Sequence, residues 1–138
     1  MNFEKITIAA TIAAPPNAVW SYWTEPEHIT QWNFASDDWC CPSAENDLRV
    51  GGKARSRMEA KDGSFGFDLE YQYDVVEPCR ALAFAMPDGR TVQTSFEEHA
   101  GATHVTTVFD AEKMNPIEMQ RQGWQAILNN FKKYVESR

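Results

Sequence analysis

The amino-acid sequence predicts an α+β domain in which a curved antiparallel sheet wraps one long C-terminal helix, with two short helices plugging an open end. Three observations carry this expectation. Residues 65–76 set Phe65, Phe67, Leu69, Tyr71, Tyr73 and Val75 against Gly66, Asp68, Glu70, Gln72 and Asp74, the period of two of a strand with one buried face. Residues 116–136 place Ile117, Trp124, Ile127, Leu128, Phe131, Tyr134 and Val135 on a single helical stripe. Turn signals at Asp62-Gly63, Pro87-Asp88-Gly89 and Ala100-Gly101 cut the intervening chain into hairpins. An amphipathic helix that follows a meander buries its stripe on the sheet.

The elements follow in order. Ile6, Ile8 and Ile12 recur at even positions among β-branched neighbours, which reads as a first strand over residues 3–13. Pro15-Pro16 ends it and starts a helix, since proline cannot donate to a ladder but fits a first helical turn. Val19, Trp20 and Trp23 form the apolar face of that helix. Thr24-Glu25-Pro26-Glu27 reads as the start of a second short helix, with Thr24 capping and Glu27 reaching back, closing around Ile29 and Trp32. Residues 33–50, with Asp37, Asp38, Trp39, Pro42 and Asn46-Asp47, read as a long irregular loop, a length that points to function or disorder. Strands are then expected over 53–60, 65–76, 81–86, 91–98 and 103–111. For the last helix, Asn115 is the expected cap, Pro116 the first helical residue and Glu118 the capping-box carboxylate.

Size and charge narrow the function. A chain of 138 residues fits one domain, taken as 1–138. Its net charge of −7 repels phosphate backbones and anionic lipid, so neither nucleic acid nor a membrane is an expected partner. No apolar run reaches the roughly 18 residues of a membrane span, and the N-terminus lacks a signal-peptide pattern. The expected compartment is the cytoplasm. Aromatic residues make up 12% of the chain, five of them Trp, which suits a thick core or an aromatic-lined cavity.

Residues able to do chemistry are few. Cys40, Cys41 and Cys79 lack the spacing of a disulfide framework or a zinc site. His28, His99 and His104 are scattered, with no nucleophile elbow to accompany them. Asp37-Asp38, Glu97-Glu98 and Asp68 with Glu70 are acidic pairs, but adjacent strand residues face opposite ways and cannot share a proton. Gly51-Gly52 lacks the Lys-Ser/Thr ending of a phosphate loop. No catalytic residue, metal or cofactor is therefore assigned. Gln120 is the odd member of the terminal stripe, because a buried amide needs a polar group, a water or a ligand.

The order Pro15-Pro16, Val19-Trp20, Trp23-Thr24-Glu25-Pro26-Glu27-His28-Ile29, Trp32, then Asp47-Leu48-Arg49-Val50-Gly51-Gly52, resembles the Aha-type branch of the START-like (SRPBCC) superfamily. So do Ala60-Lys61-Asp62-Gly63-Ser64-Phe65-Gly66-Phe67-Asp68 and the ending from Asn115-Pro116-Ile117-Glu118 to Phe131-Lys132-Lys133-Tyr134-Val135. The branch is named for a C-terminal domain of activators of the heat-shock-protein-90 ATPase, and its small bacterial members are often labelled polyketide-cyclase-like. The resemblance covers essentially the whole chain and implies a helix-grip fold, in which one cavity serves lipid transfer, hormone sensing, cyclisation or chaperone regulation. Binding of a small apolar or aromatic molecule between sheet and helix is the first expectation. A cyclase- or hydrolase-like enzyme in the same cavity is the second, and a chaperone-regulating interaction module the third; a homodimer is compatible with each. The expected cavity residues are Phe67, Leu69, Tyr71, Tyr73, Phe84, Gln120, Trp124 and Leu128, with Asp37 and Trp39 at its mouth.

Overall fold

The computed structural model describes residues 3–138. Along the chain run β1 (Lys5–Ile12), α1 (Pro16–Thr24), α2 (Pro26–Trp32), β2 (Trp39–Asn46), β3 (Lys53–Ala60), β4 (Gly66–Glu77), β5 (Ala81–Ala85), β6 (Thr91–His99), β7 (Ala102–Asp110) and α3 (Ile117–Glu136). The strands form one antiparallel sheet in the order β1-β7-β6-β5-β4-β3-β2. Consecutive strands from β2 to β7 are neighbours, and β1 closes the far side on β7. None of the helices among the described residues is long and apolar enough to cross a membrane.

Strand parity selects the inner face. Ile6 lies opposite Phe109, Ile8 opposite Thr107 and Ile12 opposite Thr103, and all six are buried. α3 lies over β1 and rests against α1 and α2. There Phe131 is wholly enclosed, its ring 4.8 Å from the ring centres of both Trp23 and Trp32. The Trp32 indole donates to the Tyr22 carbonyl at 2.8 Å, which satisfies its one polar atom inside this aromatic cluster.

Four local expectations are corrected. The loop expected over 33–50 contains a strand, β2. Its residues pair with β3 from Trp39↔Ala60 to Asn46↔Ala54, with an irregularity between Cys40 and Ser43 that absorbs Pro42. Proline is tolerated there because β2 is an edge strand. Thr24 does not cap α2; its hydroxyl donates back to the Trp20 carbonyl at 2.8 Å, and Glu25 takes the cap position. Asn115 does not cap α3, because Pro116 holds that position in extended geometry and Ile117 is the first helical residue. In β4 the register shifts between Tyr73 and Val75, so Val76 rather than Val75 meets buried Leu82. Val75 turns outward and is exposed.

The Asp47–Gly52 segment is a clamp on β4. Gly51 donates to the Tyr73 carbonyl at 2.9 Å, and Tyr73 donates back to Gly52 at 2.9 Å. Gly51 has a φ of +84°, and a Cβ on Gly52 would lie 2.1 Å from the Asp47 carbonyl oxygen. Only glycine fits both places, so this motif holds Tyr73 at the edge of the interior.

Asp110 ends β7 and ties three strands together. Its carboxylate accepts from the Thr91 backbone N–H at 2.9 Å and the Thr91 hydroxyl at 3.0 Å, and it pairs with Lys5. Burial alone would push this carboxyl up, but the bonds from Lys5 and Thr91 outweigh it and hold it below the ordinary value. A lowered folded-state pKa means stabilisation that is complete above the unfolded value, about 3.9, and lost as pH falls through the folded one. Melting temperature followed from pH 6 to pH 2.5 should fall less steeply below pH 4 in Asp110→Asn than in wild type. Parallel curves would show that Asp110 contributes nothing to the acid limb.

Candidate functional site

α3 packs on β1 while the sheet curves away toward β3, β4 and β5, and the space between is a cavity of about 340 Å³. Phe67, Leu69, Tyr71 and Tyr73 from β4, Phe84 from β5, and Trp124 and Leu128 from α3 all line it. These are seven of the ten residues expected from the sequence, brought together because the inner parity of β4 faces the helix stripe. Tyr71 stacks on Phe84 at 3.8 Å. Trp124 lies flat on Phe109 at 3.9 Å with an interplanar angle of 7°.

The other three stand elsewhere. Gln120 does not face the cavity. Its Oε1 accepts from the Glu112 N–H at 2.9 Å, and its Nε2 donates to the carbonyls of Glu112 at 3.1 Å and Asn115 at 2.8 Å. The buried amide has its partners in the loop before α3 and needs no ligand. Asp37 is exposed in the turn before β2. Trp39 reaches the cavity only through Phe67, in an exposed cluster with ring centres 6.0 Å (Trp39–Phe65), 6.3 Å (Trp39–Phe67) and 5.9 Å (Phe65–Phe67) apart. Phe67, 41% exposed, carries the cavity wall out to the surface there.

The polar content of the wall is small and mostly satisfied. Thr94 and Thr107 share a hydroxyl–hydroxyl bond of 2.9 Å. The Tyr73 hydroxyl donates to Asn46 Oδ1 at 2.7 Å, and Asn46 Nδ2 donates to the Thr24 carbonyl at 2.6 Å. This chain ties β4 to β2 and α1. Burial pushes the Tyr71 phenol well above its ordinary range, with the nearby Tyr73 adding to the rise, and burial raises Tyr73 as well. Both remain protonated donors at neutral pH. Arg90, just before β6, is the one cavity-lining side chain among the described residues that is charged at neutral pH. It was missed in the sequence because it adjoins a turn. The signal was its parity, shared with inward-facing Val92 and Thr94.

Groups elsewhere are committed to the fold. Cys40, Cys41 and Cys79 are free thiols, and burial pushes Cys41 up, keeping it a thiol. Glu25, Glu27 and His28 gather donor atoms within 4.8 Å at the start of α2. His28 Nδ1, however, is hydrogen-bonded to the Tyr134 hydroxyl at 2.7 Å, clasping α2 to α3. An open groove of about 650 Å³ carries Glu45, Lys53, Arg55 and Glu70. Arg55 is already paired there with Glu45 at 2.8 Å and Asp68 at 3.3 Å, as on a solvated face.

Residues 13–136 match the family model described as Activator of Hsp90 ATPase homolog 1-like protein. The solution structure of an AHSA1-like protein from Aeromonas hydrophila is 45% identical, with a TM-score of 0.91 over 97% of this chain and 93% of that one. A protein from Cytophaga hutchinsonii is 44% identical, with a TM-score of 0.84 over 96% of this chain and 92% of that one. A Nitrosomonas europaea protein with 20% identity and a TM-score of 0.84 over 96% of this chain and 94% of that one shares the fold. Among curated proteins none matches this chain.

Proposed function

From the premise that this chain belongs to the Activator of Hsp90 ATPase homolog 1-like family, within the START-like superfamily, we propose that it binds a small hydrophobic or aromatic molecule in the cavity between its sheet and α3, without catalysis. The observation that carries this reading is the cavity wall itself. Aromatic and aliphatic side chains from β4, β5 and α3 surround about 340 Å³, the lower end of the size range of small-molecule sites. Among the described residues that line it there is no His, Asp, Glu, Lys or Cys. General acid–base catalysis needs a group that changes protonation near the working pH, and the two phenols are shifted the wrong way. That favours binding over a cyclase or hydrolase.

Native mass spectrometry of gently purified protein tests the reading directly, and a reproducible small-molecule adduct is the expected result. Leu69→Trp supplies the control. Leu69 is partly buried on the cavity wall, so a larger side chain there fills existing space instead of displacing packed atoms. The variant should unfold within about 1 kcal/mol of wild type while losing both the adduct and any ligand-induced thermal shift. An adduct retained at full occupancy in Leu69→Trp would place the molecule outside this cavity.

A further inference from the structure

We infer that the ligand of this cavity is a small monocarboxylate with an apolar body, its carboxylate held by Arg90 and Tyr71. The inference rests on the cavity reading above and names the chemistry of its ligand. Arg90 lines the cavity with its side chain only 22% exposed. Its Nε donates to Asp88 Oδ2 at 2.7 Å, which fixes the guanidinium in place. Among the described residues Nη1 and Nη2 form no hydrogen bond, so the end of the fork is left for a second acceptor. A planar pair of N–H donors matches the two oxygens of a carboxylate.

Tyr71 is a second donor on the same wall. Gln72 pairs with Ala85, which sets Tyr71 beside Met86, and the Met86 N–H donates to the Arg90 carbonyl at 2.8 Å. Tyr71, Met86 and Arg90 therefore form one cross-strand row, with the outer two about 10 Å apart at the backbone, two strand spacings. All three residues line the cavity. The Tyr71 hydroxyl lies beside the Tyr73 hydroxyl, which Asn46 holds in place, so the ligand's carboxylate would compete with Tyr73 for the Tyr71 proton. The rest of the wall offers the apolar body Leu69, Phe84 and Leu128. A volume of about 340 Å³ lies within the range of small-molecule sites, and decanoate and 2-naphthoate serve as compact acids with an apolar body.

The test uses two matched pairs, decanoate with decanamide and 2-naphthoate with 2-naphthamide, titrated at pH 7.5 by isothermal calorimetry and tryptophan fluorescence. In wild type each acid should bind at least about tenfold tighter than its amide, the size of a charge-assisted contact. In Arg90→Met the order should reverse, since an unpaired carboxylate is costlier to desolvate than an amide, and amide affinity should fall by much less than acid affinity. Arg90→Lys keeps the charge but not the fork, and it should retain only part of the acid preference. This second variant carries the test if Arg90→Met is shown by circular dichroism to be unfolded. Amides that bind as tightly as acids in wild type would overturn the inference and leave the cavity reading standing, as would an acid preference that survives Arg90→Met unchanged. If neither member of either pair binds, and no adduct is seen by native mass spectrometry, both readings fall together.

Discussion

Phe131→Ala should destabilise the domain by about 3–5 kcal/mol, and Trp124→Ala, although a larger truncation, should cost less, about 1–3 kcal/mol. The two residues lie on the same stripe of α3, seven positions apart, and sequence periodicity treats them alike. Their surroundings differ. Phe131 is 0% exposed, with Trp23 and Trp32 each 4.8 Å away, ring centre to ring centre. Those rings are themselves fixed, Trp32 by its bond to Tyr22 and Trp23 by Phe96, with ring centres 5.6 Å apart. Truncation at 131 thus opens a void that stiff neighbours cannot fill, the situation in which the cavity cost is largest. Trp124 has one face on Phe109 and also borders a cavity that is already open. Its removal forfeits one stacked contact and enlarges an existing space. Urea unfolding with fitted midpoints and slopes measures both. A Trp124→Ala cost equal to or above that of Phe131→Ala would mean that α3 is packed against β4 and β5 without the gap that makes the site.

That gap explains which parts of the site could be read from residues alone. The long regularities, alternation over β4 and the stripe of α3, repeat often enough that each states its buried face, and two buried faces meeting across a domain define a wall. Leu69, Tyr71 and Tyr73 are legible in this way, as are Trp124 and Leu128. What was not legible depends on partners distant in sequence. β2 contains Pro42 and scattered polar residues, and it is a strand because β3 offers it a ladder. Val75 fits the alternation perfectly and still points outward, because one extra residue in β4 at Asp74 shifts the register against β5. Such a bulge has no local signature when the inserted residue is an ordinary one. Thr24 and Asn115 are good caps by type, and each was displaced by the neighbouring residue that holds the required extended geometry. Arg90 is the instructive omission. A single cation next to a hairpin turn reads as solvated, and only the curvature of the sheet turns its strand position into a place inside the cavity rim.

Gln120→Leu should cost about 2–3 kcal/mol and leave ligand binding untouched, although the sequence puts Gln120 among the expected cavity residues. Helical spacing places Gln120 on the buried stripe correctly, and it is buried. Spacing does not say what the amide meets. The chain leaves β7 at Asp110 and enters α3 at Ile117, and Gln120 spans that connection with three hydrogen bonds to its backbone. It ties the connection down from inside the helix, at a start where Pro116 offers no side-chain cap. Leucine fills the same space but strands one N–H and two carbonyls, and groups left unsatisfied cost more than the hydrogen bonds contribute when made. Gln120→Glu keeps an acceptor for the Glu112 N–H but sets a carboxylate against the carbonyls of Glu112 and Asn115. It should therefore be no better than leucine at neutral pH and should recover as pH falls and the group protonates. Two measurements decide it: urea unfolding of both variants, and hydrogen exchange of the Glu112 amide, which should lose protection in Gln120→Leu. A leucine variant within about 0.5 kcal/mol of wild type, with Glu112 still protected, would show that the loop holds its own shape and that Gln120 only fills the stripe.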